Sequence, residues 1–120
     1  MAVRAIRGAT QLESDERQHL LDSTSELVSE ALRANKLDPS QLISIWFTAT
    51  PDLVSEFPAL AARELGLGDV PLMCSVEMAV TGAMPRVIRL MMHCETDLAR
   101  AEIQHVYLRG ATQLRRDLAQ

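Results

Sequence analysis

Aromatic side chains are scarce, with Phe 2, Tyr 1 and Trp 1 in 120 residues. A core must therefore be built mainly from aliphatic and thioether groups, for which the 48% hydrophobic fraction and Met 6 suffice in a single domain. Cys74 and Cys94 are too far apart for a compact metal motif and too few for the disulfide pattern of a small secreted domain. His19, His93 and His105 are scattered and no H-E-x-x-H motif occurs, so no metal site is expected. Gly82 stands alone and makes no phosphate loop. No apolar run approaches membrane-spanning length, and no basic stretch followed by an apolar segment marks a signal peptide. A soluble cytoplasmic protein with no membrane partner is expected.

Lysine is nearly missing. Of the 12 basic residues 11 are arginine, leaving only Lys36. The formal net charge of -4 argues against a nucleic-acid surface. Arginine is favoured where planar carboxylate or phosphate groups take paired hydrogen bonds, so a pocket for a small anion is the better expectation.

The chain's central stretch is Leu42–Leu65. Ile43, Ile45, Phe47 and Ala49 alternate with Ser44, Trp46 and Thr48, which predicts a strand with its apolar set on one face. Pro51 and Asp52 suit a turn, Pro58 a first helical position, and Gly66 a helix end. Leu60, Ala61 and Leu65 are expected to form that helix's apolar side.

Earlier, Ala2–Gly8 alternates as a strand that puts Val3, Ala5 and Arg7 on one side. Arg7 has two open readings, a site residue or a solvated strand end. Ser14 is expected to cap a helix running to about Asn35, with Leu20, Thr24, Leu27, Val28, Ala31 and Leu32 as its inner stripe. Asp38 and Gln41 offer a capping box for a short helix at Pro39.

Val70–Ser75 reads as a short strand, which Pro71 pushes toward a sheet edge or a strand start. Arg86–Glu95 carries apolar residues on both faces, with Arg89 in register with Val87, Met91 and His93, and should lie deep in a sheet or at a subunit junction. A charge there needs an anionic or hydrogen-bonding partner, and Glu77 is one candidate. His105–Arg109 forms a last strand, with His105, Tyr107 and Arg109 expected on one face. Arg-Gly-Ala-Thr-Gln-Leu occurs twice, at Arg7–Leu12 and Arg109–Leu114, without enough flanking similarity to define two domains. The element order points to an α/β fold.

These pieces together resemble the small AroH-type chorismate mutases over nearly the whole chain. The resemblance rests on IRGAT at Ile6–Thr10, TATPDL at Thr48–Leu53, FPALAAREL at Phe57–Leu65 and VPLMCSVEM at Val70–Met78. RVIRLMM at Arg86–Met92, HVYL at His105–Leu108 and LRRDL at Leu114–Leu118 complete it. It implies one domain over residues 1–120, a mixed sheet with packed helices, and a homotrimeric pseudo-α/β-barrel with active sites between subunits. It also implies cofactor-free conversion of chorismate to prephenate, with a mobile tail from about residue 112.

The family's site positions carry over one by one. By resemblance Arg7 and Tyr107 meet substrate carboxylate, Arg89 stands beside the breaking ether bond, and Glu77 with Cys74 surrounds the ring hydroxyl. Phe57 is a hydrophobic wall, Arg63 lies near the pocket mouth and Arg115 in the tail. Ala59, Leu72, Met73 and Leu114 are further lining positions. Two departures stand out: Leu60 replaces a lysine and Met73 a threonine found in some relatives, which removes a peripheral charge and a hydroxyl contact.

Overall fold

The computed structural model describes residues 1–114. Strand β1 (Ala2–Gln11) leads to helix α1 (Arg17–Ala34), a 3-10 turn at Pro39–Gln41 and strand β2 (Leu42–Ala49). Helix α2 (Pro58–Glu64), strands β3 (Leu72–Val76) and β4 (Val87–Thr96), a 3-10 turn at Arg100–Glu102, strand β5 (Val106–Leu108) and a 3-10 turn at Arg109–Gln113 follow. The strands form one mixed sheet in the order β3-β2-β4-β1-β5. β4 runs antiparallel to both of its neighbours, β1 and β2, while the outer pairs β2–β3 and β1–β5 are parallel.

Both helices cover the same face. Leu20, Leu27, Val28 and Ala31 of α1 and Ala59 and Ala62 of α2 join Ile6, Phe47, Ile88 and Met92 in the main core. Alternation explains the choice of face: Ile45 and Phe47 point inward, whereas Trp46 points outward. Much of the opposite face is open, with Val3, Trp46, Met73 and Met91 exposed along it, while Ala9, Val87 and Tyr107 on that face are covered by Ala111 and Leu114. Contiguous apolar exposure of this kind marks a surface meant to be covered. Among the described residues, no helix is long and apolar enough to cross a membrane.

Pro71 precedes the edge strand β3, Asp38 and Gln41 form the capping box, and Gly66 takes the positive φ that ends α2. Other expectations need correction. Ser14 does not cap α1; Glu16 does, accepting from the backbone N–H of Gln18 and His19, while Asp15 accepts from Val54 and Ser55. Ile43 leaves the buried set because a bulge between Leu42 and Ser44 inserts it as an extra residue. The inner side of α2 is Pro58, Ala59, Ala61 and Ala62, and Leu65 is exposed, since small residues let the helix lie close against α1.

Arg109 does not share a face with Tyr107. Its φ of 55° turns the chain out of β5, and its Nε lies 3.4 Å from Glu26 of α1. Asn35 fixes the start of this last segment. Its side-chain amide donates to the carbonyls of Ala31 (2.8 Å) and Gln104 (2.9 Å), and its oxygen accepts from the Gln104 N–H (2.7 Å). That anchoring places β5, and therefore Tyr107, beside β1.

Candidate active site

Arg7, Glu77, Arg89 and Tyr107 line one cavity of about 270 Å³ on the open face of the sheet. Three strands and one strand exit supply them. Arg7 projects from β1, Arg89 from β4 and Tyr107 from β5, all with outward parity. Glu77 follows β3 directly, where its N–H still donates to Ala49 O at 2.8 Å and so extends the ladder. The backbone of Arg7 is pinned by its N–H, which donates to His105 Nδ1 at 3.0 Å.

The charged pair at the centre is not closed. Glu77 Oε2 lies 3.7 Å from Arg89 Nε, beyond hydrogen-bond reach. The same oxygen accepts from Thr48 Oγ1 at 2.8 Å, and Oε1 accepts from the Met78 N–H at 3.2 Å. Arg89 Nε is shielded from solvent and has no acceptor among the described residues. The rest of the guanidinium is not buried, since the Arg89 side chain is 44% exposed at the cavity wall, where it can meet an anionic ligand. Two arginines, one carboxylate and one phenol suit a small polyanion bearing a hydroxyl.

The remaining expected positions do not join this cavity within one chain. Phe57 and Cys74 line a second cavity of about 460 Å³ with Thr50, Leu53 and Val76. Phe57 is 69% exposed there. Glu56 braces this loop; its carboxyl sits below the usual carboxylate range because the Phe57 N–H and then Arg17 donate to it. Ala59 is buried in the core, Arg63 is exposed on α2, Leu72 packs against the core and Met73 lies on the open face. Leu114 packs against the small cluster of Ala9, Val87, Tyr107 and Ala111. Arg115 lies outside the described residues.

Trp46, Thr48 and Met91 also line the first cavity, and none was singled out from the sequence as a site residue. The alternation that groups Trp46 with Thr48 was a usable signal, but it lacked the pairing of β2 with β4 that sets Thr48 opposite Arg89. Among the described residues, no group of three or more His, Cys, Asp or Glu side chains could hold a metal ion.

Comparison with known proteins gives a consistent result. A family model described as chorismate mutase type I matches residues 3–118. The chain is 42% identical over 120 residues to chorismate mutase AroH of Bacillus subtilis (strain 168), spanning 99% of this chain and 94% of that protein. It is 44% identical over 117 residues to chorismate mutase AroH of Thermus thermophilus, spanning 97% and 96%. The solved structure of a chorismate mutase from Clostridium thermocellum superposes with a TM-score of 0.90 at 42% identity, covering 91% of this chain and 97% of that one.

Proposed function

The chain belongs to the type I chorismate mutase family, and on that premise we propose how its open-face cavity carries the reaction. The protein is an isomerase that converts chorismate to prephenate, in the shikimate route to aromatic amino acids, without a cofactor. The reaction is an intramolecular rearrangement in which an ether C–O bond breaks as a C–C bond forms. It needs no nucleophile. It needs the folded conformer held in place and a cation where the ether oxygen gains negative charge.

Arg7 and Tyr107 anchor substrate carboxylate in this reading, and Glu77 orients the ring hydroxyl. Arg89 faces the ether oxygen. The observation that carries the assignment is the convergence of Arg7, Glu77, Arg89 and Tyr107 on one cavity, with the half-exposed Arg89 guanidinium left unclosed on Glu77 at 3.7 Å. A donor already fixed in position gains its partner only as charge develops, and that difference lowers the barrier.

Phe57, Ala59, Arg63, Leu72, Met73 and Cys74 then act from a neighbouring copy. The open sheet face and the separation of Phe57 and Cys74 from the first cavity support a homotrimer with sites between subunits. Leu114, packed in the cluster that includes Tyr107, is placed to line the same site. The free thiols of Cys74 and Cys94 fit a cytoplasmic setting.

Turnover of chorismate to prephenate, followed by loss of chorismate absorbance, is the direct test. Replacing Arg89 with its neutral isostere citrulline should lower kcat by on the order of 100-fold or more, with a much smaller change in KM. Near-normal turnover in Arg89→Ala would remove the assignment.

A further inference from the structure

Thr48 stands between the two charges of the cavity. In the ladder it pairs with Arg89 on one side and with Ser75 on the other. Its Oγ1 donates to Glu77 Oε2 at 2.8 Å, the oxygen that lies 3.7 Å from Arg89 Nε. The neighbouring hydroxyl, Ser75 Oγ, accepts from Trp46 Nε1 at 2.6 Å. The backbone of β2 is satisfied by the ladders to β3 and β4, so the Thr48 hydroxyl is not needed to complete the sheet. At a strand position valine would serve packing as well as threonine. The hydroxyl has one visible use, and that is Glu77.

We propose that Thr48 is a positioning residue that, through its Oγ1–H···Oε2 bond, fixes the Glu77 carboxylate 3.7 Å from Arg89 Nε and so keeps the half-exposed Arg89 guanidinium from closing on it before substrate arrives. An arginine and a carboxylate this close gain most from a paired, short-range hydrogen-bonded contact. The Thr48 hydroxyl and the Met78 N–H each donate to one carboxylate oxygen and together fix its orientation, with Oε2 left 3.7 Å from Arg89 Nε. Without the hydroxyl, Oε2 loses its neutral donor and the nearest replacement is Arg89 Nε. That closure would give Arg89 an acceptor before substrate arrives, and the transition state would have to break it. The cost falls on the chemical step rather than on capture, because Arg7 and Tyr107 hold the carboxylates independently.

The inference rests on the assignment of Arg89 and Glu77 above, and the test separates the two. Wild-type protein, Thr48→Val, Thr48→Ser, Glu77→Gln and the Thr48→Val/Glu77→Gln double variant are assayed with chorismate as full-length chains, alongside thermal melts. Thr48→Val is expected to lose about 10-fold in kcat, with KM changed less than about 2-fold and an unchanged melt. Thr48→Ser, which keeps the hydroxyl, should recover most of the loss. In the Glu77→Gln background the Thr48→Val loss should largely vanish, as it must if Thr48 acts through that carboxylate. Wild-type turnover in Thr48→Val, failure of serine to rescue, or an undiminished loss beside Glu77→Gln would each overturn the role of Thr48. Absence of turnover in the wild type would instead overturn the functional reading itself.

Discussion

Arg7–Leu12 and Arg109–Leu114 have the same six residues, yet the first completes a strand and the second enters a 3-10 turn. The first copy has a neighbour on each side: β4 pairs with it through Gln11, and β5 pairs with Gly8, Ala9 and Thr10. The second follows an edge strand of three residues, and Arg109 turns it away at positive φ. Beyond that point the end of β1 is occupied. The Gln11 side chain donates to Pro85 O at 3.1 Å and Leu12 N–H donates to Arg86 O at 2.7 Å.

The two copies nonetheless meet. Ala9 and Ala111, the third residue of each, are both fully buried in one small cluster with Val87 and Tyr107. Identical local propensity thus ends in two backbones because available ladder partners, not the hexapeptide, select the conformation. Their arginines part accordingly, Arg7 to the cavity and Arg109 to Glu26.

Breaking the arginine pair should give the largest contrast. Arg7→Ala is expected to lower kcat/KM by on the order of 100-fold, as loss of a charge-assisted substrate contact does. Arg109→Ala removes only a half-exposed ion pair, which contributes about 0–1 kcal/mol, and should leave kcat/KM within about 2-fold. Equal losses in steady-state assays would mean that the two copies are not functionally distinct.

The glycines come next. A Cβ on Gly8 would lie 3.2 Å from both Leu27 Cδ1 and Leu90 Cγ, inside the main core, so Gly8→Ala should destabilise by about 1–3 kcal/mol. A Cβ on Gly110 would fall 1.8 Å from Gln11 Oε1, the tip of a side chain that can swing aside. Gly110→Ala should therefore cost about 1 kcal/mol, chiefly the Gln11–Pro85 hydrogen bond, and almost nothing more in a Gln11→Ala background. Urea denaturation of the four proteins checks this; an additive double variant would contradict it.

The threonines give the smallest effect. Thr10 is fully buried and its hydroxyl has no partner among the described residues, so Thr10→Val should stabilise by about 1 kcal/mol. Thr112 is only half-buried, and Thr112→Val should stay within about 0.5 kcal/mol. A destabilised Thr10→Val in the same denaturation series would reveal an unrecognised partner for that hydroxyl.

Where one side-chain period ran unbroken, the sequence was a good guide. Alternation set Phe47 and Trp46 on opposite faces, and Arg89 on the face of Val87 and Met91. The capping box at Asp38 and the glycine ending α2 followed from local stereochemistry. The misses fall where a distant segment intervened. Asp15 spends its carboxylate on the 54–55 backbone, leaving the cap to Glu16, and a bulge against β4 expels Ile43. Thr48 went unremarked because its use depends on Glu77, 29 residues away.

Which residues share a face and which side chains bring the chemistry was readable before folding, since both follow from backbone periodicity and the functional group each residue carries. That Arg7, Glu77, Arg89 and Tyr107 surround one cavity, and that a threonine stands between the opposed charges there, became visible in the folded sheet alone. Strand order and register are set by long-range pairing, and no local pattern encodes a distance between segments that meet only after the sheet has formed.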